Sequence, residues 1–269
     1  MSYLNHPNYL SYPKYPNYPI LDALHKVDGR GGMCALAVMA KAPRAGKVKT
    51  RLAPPLTLEQ SAALNICFLR DTTRNIAEVA AAGGAAGLVC YTPVGDEAAF
   101  DDLLPGDFAL IAQRGDGFGE RLLCAAEDIL ACGFGAVCLI DSDSPTLPAE
   151  ALRQAVEALS KRGDRVVLGG SDDGGYYLIG LKAAHAAAFE RITWSTGSVY
   201  AETVERVREA GLELVELPIW YDVDDAATLE VLRAELLDGK RPEFATVNGF
   251  EAEATREFLK ALMHPMDGI

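Results

Sequence analysis

Strand-length apolar runs recur along this chain with helix-patterned segments between them, and that alternation restricts the fold more than any other feature. The runs are Cys34–Ala40, Gly87–Tyr91, Phe108–Ile111, Ala136–Ile140 and Arg165–Leu168. They lack the apolar–polar alternation of a strand with one wet face, so both faces are expected to be covered. The clearest helix starts near Thr57, with Glu59 and Gln60 following. It carries Leu58, Ala62, Ile66, Leu69, Thr73, Ile76 and Ala80 at intervals of three or four. Further helices are expected over Gly119–Ala131, Pro148–Lys161, Gly197–Ala210, Asp225–Leu237 and Glu251–Met263, and further strands at Tyr176–Leu181 and Leu212–Leu217. The pattern predicts a single α/β domain with a mostly parallel, doubly wound sheet. Ligands of such sheets bind beyond the carboxyl ends of the strands.

Residues 1–32 do not share the pattern. Tyr-Pro units recur from Tyr9 to Pro19 without strand or helix period, which predicts a disordered Tyr/Pro/Asn-rich extension. The domain is expected over 33–240, with a helical extension over 241–269 packed on it. At 49% hydrophobic and 23% charged residues, the chain can bury a large core. Its formal charge of −13 argues against a nucleic-acid partner. No apolar run approaches the ~18 residues of a membrane span, so a cytoplasmic protein without a membrane partner is expected. Six cysteines form no C-x-x-C pair, and four histidines share no ligand spacing; free core thiols are expected, and neither a zinc site nor a histidine-based site.

The loop after the first strand concentrates positive charge. Lys41, Arg44, Lys47, Lys49 and Arg51 occupy eleven positions with no acidic residue among them, where the chain's average gives about one. Gly46 would let backbone approach a ligand, and Lys and Arg donate charge-assisted bonds to phosphate oxygens. A Walker loop is excluded by Lys41 and Val48, which stand where it needs Gly and Ser or Thr. The run Gly115-Asp116-Gly117-Phe118-Gly119-Glu120 has the wrong spacing for a dinucleotide fingerprint. The fourth strand leads into Asp141-Ser142-Asp143-Ser144-Pro145, two carboxylates suited to Mg²⁺ or Mn²⁺; a polar turn before the next helix is the alternative. Asp222-Val223-Asp224-Asp225 precedes another helix, with Asp225 as its simplest N-cap. The others could complete a metal site if that loop folds back over the Asp143 turn. Asp172, Asp173, Gly174, Gly175 and Tyr176 form a loop open to a sugar-like ligand or a tight turn into the next strand. Trp194-Ser195-Thr196 reads as a ligand platform or as an anchor plus N-cap.

Taken in order, Lys41-x-Pro43-x-x-Gly46-x-x-Lys49-Thr50-Arg51-Leu52, Asp143-x-Pro145, Asp173-Gly174-Gly175-Tyr176-Tyr177-Leu178-Ile179-Gly180, Trp194-Ser195-Thr196 and Asp222-Val223-Asp224 resemble the DUF2064 family. Its members are named as glycosyltransferases of arsenosugar biosynthesis, within the nucleotide-diphospho-sugar transferase (GT-A-like) superfamily. The resemblance covers roughly residues 34–240. It implies that the basic loop is a nucleotide-phosphate loop, similar to the Lys-Ser/Thr-Arg-Leu segments of phospholactate guanylyltransferases. It also implies that Asp143 and Asp224 are metal-binding aspartates. Two departures stand out: Asp225-Ala226 replaces the usual Thr-Pro, and Asp141 replaces the usual Gly.

These readings converge on a transferase. The leading expectation is a metal-dependent glycosyltransferase that uses a nucleotide-diphospho-sugar donor and a small-molecule acceptor. Lys41, Arg44, Gly46, Lys49, Thr50 and Arg51 would bind the phosphates, and Asp143, Asp224 and Asp141 would hold Mg²⁺ or Mn²⁺. Lys49 and Arg51 would offset charge on the leaving group. Asp173 is the candidate base, and Asp172, Asp173, Gly174, Gly175, Tyr176, Trp194, Ser195 and Thr196 are the candidate acceptor residues. The alternatives are a nucleotidyltransferase that releases pyrophosphate from a nucleoside triphosphate and a non-catalytic nucleotide-binding protein. A haloacid-dehalogenase-type phosphatase is disfavoured, because its Asp-x-Asp belongs near the chain start and Pro145 stands where Thr or Val is wanted. Base, sugar, acceptor and oligomeric state are left open.

Overall fold

The computed structural model describes residues 18–22 and 29–263. Its seven strands are β1 (Cys34–Lys41), β2 (Ala85–Thr92), β3 (Ala109–Ala112), β4 (Ala136–Ile140), β5 (Arg165–Ser171), β6 (Tyr176–Leu181) and β7 (Glu213–Trp220). Its six α-helices are α1 (Leu58–Ala80), α2 (Phe118–Ala131), α3 (Ala149–Ser160), α4 (Val199–Glu209), α5 (Ala226–Asp238) and α6 (Glu253–Met263). The strands form one sheet in the order β3-β2-β1-β4-β6-β5-β7. All run parallel except β6, which is antiparallel to both β4 and β5.

Both faces of the sheet are covered, as the unbroken apolar runs require. Along β1, Leu36, Val38 and Ala40 join Phe68, Ile76, Leu152 and Trp220 in one core, while Ala35 and Ala37 join Leu122, Ile129, Val204 and Val207 in the other. Alternate side chains thus feed opposite layers. The start of α1 is fixed by a capping box: Gln60 N donates to Thr57 Oγ1 at 3.1 Å and Thr57 N to Gln60 Oε1 at 2.8 Å. All six cysteines are buried free thiols.

Residues 18–22 correct part of the expected disorder. Tyr18 is buried; its hydroxyl donates to Leu104 O at 2.7 Å and accepts from Leu104 N at 3.0 Å. Ile20 pairs in parallel with Leu110. Leu110 N donates to Pro19 O and Leu21 N to Leu110 O, so this segment satisfies backbone groups on the open edge of β3. The rest of the extension, residues 1–17 and 23–28, lies outside the described residues, as does the tail beyond 263.

Helix α6 packs on α1 and α5. The buried Asp71 of α1 reaches across to its first turn and accepts from Ala254 N at 3.0 Å and Thr255 N at 2.7 Å. A carboxylate there satisfies orphan helix donors from outside the helix. Asp71→Ala is expected to cost about 1–3 kcal/mol and to raise amide exchange across 253–263 ahead of the rest. Uniform exchange loss, or none, would contradict this role.

Candidate active site

Because β1, β4, β5 and β7 are parallel, their carboxyl ends and the start of β6 lie on one edge of the sheet, where the basic loop, the Asp143 turn, residues 172–175 and the acidic loop emerge; residues 194–196 follow the far end of β6 and come back to residues 172–175 through Gly197. β7 is the edge strand, three positions from β4, so its loop must travel to meet the others. Tyr221 and Val223 drive that crossing: both are fully buried, and Val223 N donates to Asp143 O at 2.9 Å. Asp224 is thereby delivered beside Asp143. Asp225 caps α5, accepting from Ala227 N and Thr228 N.

The basic loop turns inward at Lys49, which has left-handed backbone (φ 46°). Its Nζ lies 2.9 Å from Asp143 Oδ1, 2.8 Å from Asp224 Oδ1 and 2.7 Å from Val223 O. Burial alone would lower the Lys49 pKa; the Asp143 and Asp224 carboxylates outweigh it and hold the pKa above the ordinary lysine value. Arg51 approaches Asp224 at 3.5 Å and Asp225 at 3.8 Å from the exposed side. A cavity of about 250 Å³ opens here, lined by Lys41, Lys47, Lys49, Thr50, Arg51, Asn65, Ser142, Asp143 and Asp224 together with Val48.

Several candidates fall outside this cavity lining. Arg44 turns away to a bidentate pair with Asp96, 2.9 Å from Nε to Oδ2, and Gly46 serves the turn with φ 69°. Asp141 also departs from expectation. Its Oδ1 accepts from the Asp143 and Ser144 backbone N–H groups, both at 3.2 Å, and its Oδ2 from Ser144 Oγ at 2.8 Å. Burial, then the neighbouring Asp143 and Asp222, push its pKa well above the carboxylate range. Asp141 braces the turn that presents Asp143 and is not among the residues that line the cavity.

The loop 172–175 and the segment 194–198 form a neighbouring unit. Gly174 (φ 91°) lies against Gly197, Tyr200 N donates to Gly174 O at 2.9 Å, and Asp173 Oδ1 accepts from Gly175 N at 2.7 Å. Trp194 packs edge-on to Phe118 and Tyr176, with ring centroids at 5.3 and 6.4 Å. Gly119 leaves room for its indole, since a Cβ there would sit 2.5 Å from Nε1. These contacts hold the half-buried Trp194 in place, and Ser198, not Ser195 or Thr196, precedes α4. Asp172 and Asp173 are exposed beside it. Ser171 Oγ links this unit to the acidic loop by donating to Asp222 Oδ1 at 2.9 Å.

Asn65 is a site-proximal residue that sequence reasoning did not select, whereas Asp222 belongs to the acidic run considered there for a metal site. Asn65 is 4% exposed and its Oδ1 accepts no hydrogen bond; the only signal was a polar residue on a buried stripe of α1. Burial, then Asp224 and Asp173, push the Asp222 pKa up to about 6. A carboxyl raised above its unfolded value near 3.9 favours the folded state when protonated. That stability is complete below about pH 4 and lost as pH rises through about 6. Asp222→Asn keeps an acceptor for Ser171 and cannot ionise, so it is expected to be more stable than the parent at pH 8 by about 1–3 kcal/mol. Urea melts at pH 4, 6 and 8 check this; a parallel decline in both proteins would refute it.

Among the described residues, no group of three or more His, Cys, Asp and Glu side chains is placed to hold a metal ion. A divalent cation of the Mg²⁺ type is usually held by one or two carboxylates plus substrate phosphates and water. Asp143 and Asp224, one-third to two-fifths exposed with their Oδ1 atoms on one ammonium, fit that smaller requirement.

A solved protein from Desulfovibrio desulfuricans G20, described as a "putative nucleotide-diphospho-sugar transferase", is 31% identical to this chain, with a TM-score of 0.71 over 88% of this chain and 99% of its own. The profile of the family described as "Uncharacterized protein conserved in bacteria (DUF2064)" matches residues 75–196. The chain belongs to the DUF2064 family. The likeness to the Desulfovibrio desulfuricans protein places the chain in the nucleotide-diphospho-sugar transferase superfamily, as a transferase. The CTP complex of CMP:2-keto-3-deoxy-manno-octonic acid synthetase aligns at 13% identity and TM-score 0.50, over 77% of this chain and all of its own, a likeness of fold alone. No curated protein matches significantly in sequence. No helix among the described residues is long and apolar enough to cross a membrane.

Proposed function

We propose that this DUF2064 chain is a metal-dependent glycosyltransferase that takes a nucleotide-diphospho-sugar donor. The observation that carries this reading is the cavity in which Lys41, Lys47, Lys49 and Arg51 surround the Asp143–Asp224 pair. In a chain of formal charge −13, four cations against two carboxylates make a local site for a polyanion. Lys41 and Lys47, exposed at the rim, take the outer phosphate oxygens. Lys49 lies deeper and Arg51 reaches the pair from the exposed side, and both offset the negative charge that grows as the leaving diphosphate departs. Asp143 and Asp224 hold Mg²⁺ or Mn²⁺, which when bound neutralises that same diphosphate. The acceptor lies toward 172–175, where Asp173 keeps Oδ2 free of hydrogen bonds in the described structure and orients or deprotonates the acceptor hydroxyl.

The same cavity favours a second reading through its charge. Its surplus of cations suits a triphosphate, and nucleotidyl transfer would then release pyrophosphate. Product identity separates the two. Incubation with a panel of nucleotide sugars and nucleoside triphosphates, a set of small hydroxyl-bearing acceptors and Mn²⁺, read by mass spectrometry, is expected to yield a nucleoside diphosphate and a glycosylated acceptor. Pyrophosphate as the released product would replace this reading with the second, and no product with any donor would favour binding without turnover.

A further inference from the structure

Lys49 sits between the two candidate metal ligands rather than at the mouth of the cavity. An ammonium has three N–H donors, and Asp143 Oδ1, Asp224 Oδ1 and Val223 O supply three acceptors at 2.9, 2.8 and 2.7 Å. Its side chain is 5% exposed, and Nζ lies 5.9 Å from the centre of the Phe68 ring. Lys41, Lys47 and Arg51 are exposed by comparison. The loop has thus placed one cation of five where it neutralises the carboxylates and left Lys41 and Lys47 open to a ligand from solvent, with Arg51 against Asp224 and Asp225 on the exposed side.

We propose that Lys49 is a built-in counter-ion that competes with the divalent cation, so that the metal binds with or after the nucleotide's phosphates and not before them. This rests on Asp143 and Asp224 being the metal ligands. A divalent ion bonded to both Oδ1 atoms cannot share them with an ammonium at the same spot, because the two cations repel strongly at that range. Metal entry alone would strand a buried ammonium with one acceptor of three. Phosphate oxygens remove that penalty by giving Lys49 new charge-assisted bonds. Asn65 adds a neutral acceptor in the same cavity: it lies one turn before Phe68 on α1, lines the cavity wall, and its buried Oδ1 accepts nothing. Phosphate binding and metal binding are then coupled in both directions.

Water-proton relaxation measures Mn²⁺ on the full-length chain, alone and with inorganic pyrophosphate, and discounts small Mn²⁺–pyrophosphate complexes. The parent is expected to bind Mn²⁺ at least about tenfold more tightly when pyrophosphate is present. Lys49→Met is expected to bind Mn²⁺ alone at least about tenfold more tightly than the parent and to lose most of the coupling. Lys49→Arg, which keeps the charge, stays weak for Mn²⁺ alone. Direct Mn²⁺–pyrophosphate contact also gives coupling in the parent, so Lys49→Gln replaces Lys49→Met where that variant folds poorly, and full coupling retained in a folded neutral variant overturns this inference. Mn²⁺ binding that Asp143→Asn abolishes but that ignores both pyrophosphate and Lys49 overturns this inference and leaves the metal assignment standing. No Mn²⁺ binding under any condition overturns both.

Discussion

Asp143→Asn is expected to lower glycosyl transfer by about a thousandfold and to remove the Mn²⁺ dependence of donor binding, with little change in fold. The amide retains an oxygen that can accept from Lys49 and Ser142, so the local hydrogen bonds survive while the anionic ligand does not. Asp141 continues to hold the turn through its bonds to residues 143 and 144. A matched Asp224→Asn variant should behave alike, because both carboxylates meet at one ammonium. The check is steady-state turnover against Mn²⁺ concentration, with a thermal melt to confirm folding. Turnover within a few-fold of the parent, at unchanged Mn²⁺ requirement, would remove Asp143 from the metal site.

Gly174→Ala is expected to separate acceptor-side function from donor binding. At φ 91° an alanine is strained, and its Cβ would lie 2.1 Å from Gly197 O. No rotamer change can relieve this, since both partners are backbone. Either the turn shifts away from 194–198, breaking the bond from Tyr200 N to Gly174 O, or the protein bears about 2–4 kcal/mol. The Lys49 cavity is built from other loops, so binding of a nucleoside diphosphate should stay within about threefold while turnover falls about a hundredfold. Calorimetry on the variant gives the first quantity and donor consumption the second. Equal losses in both would place residues 172–175 in the donor site; no loss of turnover would exclude them from the reaction.

The sheet and its helices were legible because each signal was local. Unbroken apolar runs marked the strands, and Thr57 with Gln60 marked the start of α1. The reversal of β6 was also implicit: residues 172–175 between β5 and β6 are too few for a parallel crossover. Lys49, Asp143 and Asp224 could be picked out from their positions after strands, yet the crossing that joins them depends on Tyr221 and Val223 burying themselves as the chain leaves β7. Spacing does not encode such a path. The Arg44 pair could not be read from the sequence because its partner, Asp96, lies 52 residues away. The turn bonds of Asp141 were not legible because a carboxylate with the spacing of a metal ligand can equally accept N–H bonds two and three residues on, a competition that short polar side chains often settle locally. Asn65 was hidden by the opposite problem, since one polar residue on a buried helix face resembles ordinary sequence variation until the cavity above it is seen.

The central claim is that the Lys41–Arg51 loop and the Asp143–Asp224 pair form one metal-assisted site for a nucleotide's diphosphate. Calorimetric titration with UDP, GDP, their sugars and the four nucleoside triphosphates, each with and without Mn²⁺, tests it most directly. The account predicts Mn²⁺-dependent binding of one nucleoside diphosphate and its sugar, abolished in Asp143→Asn. Binding indifferent to Mn²⁺, or no binding across the panel, would contradict it.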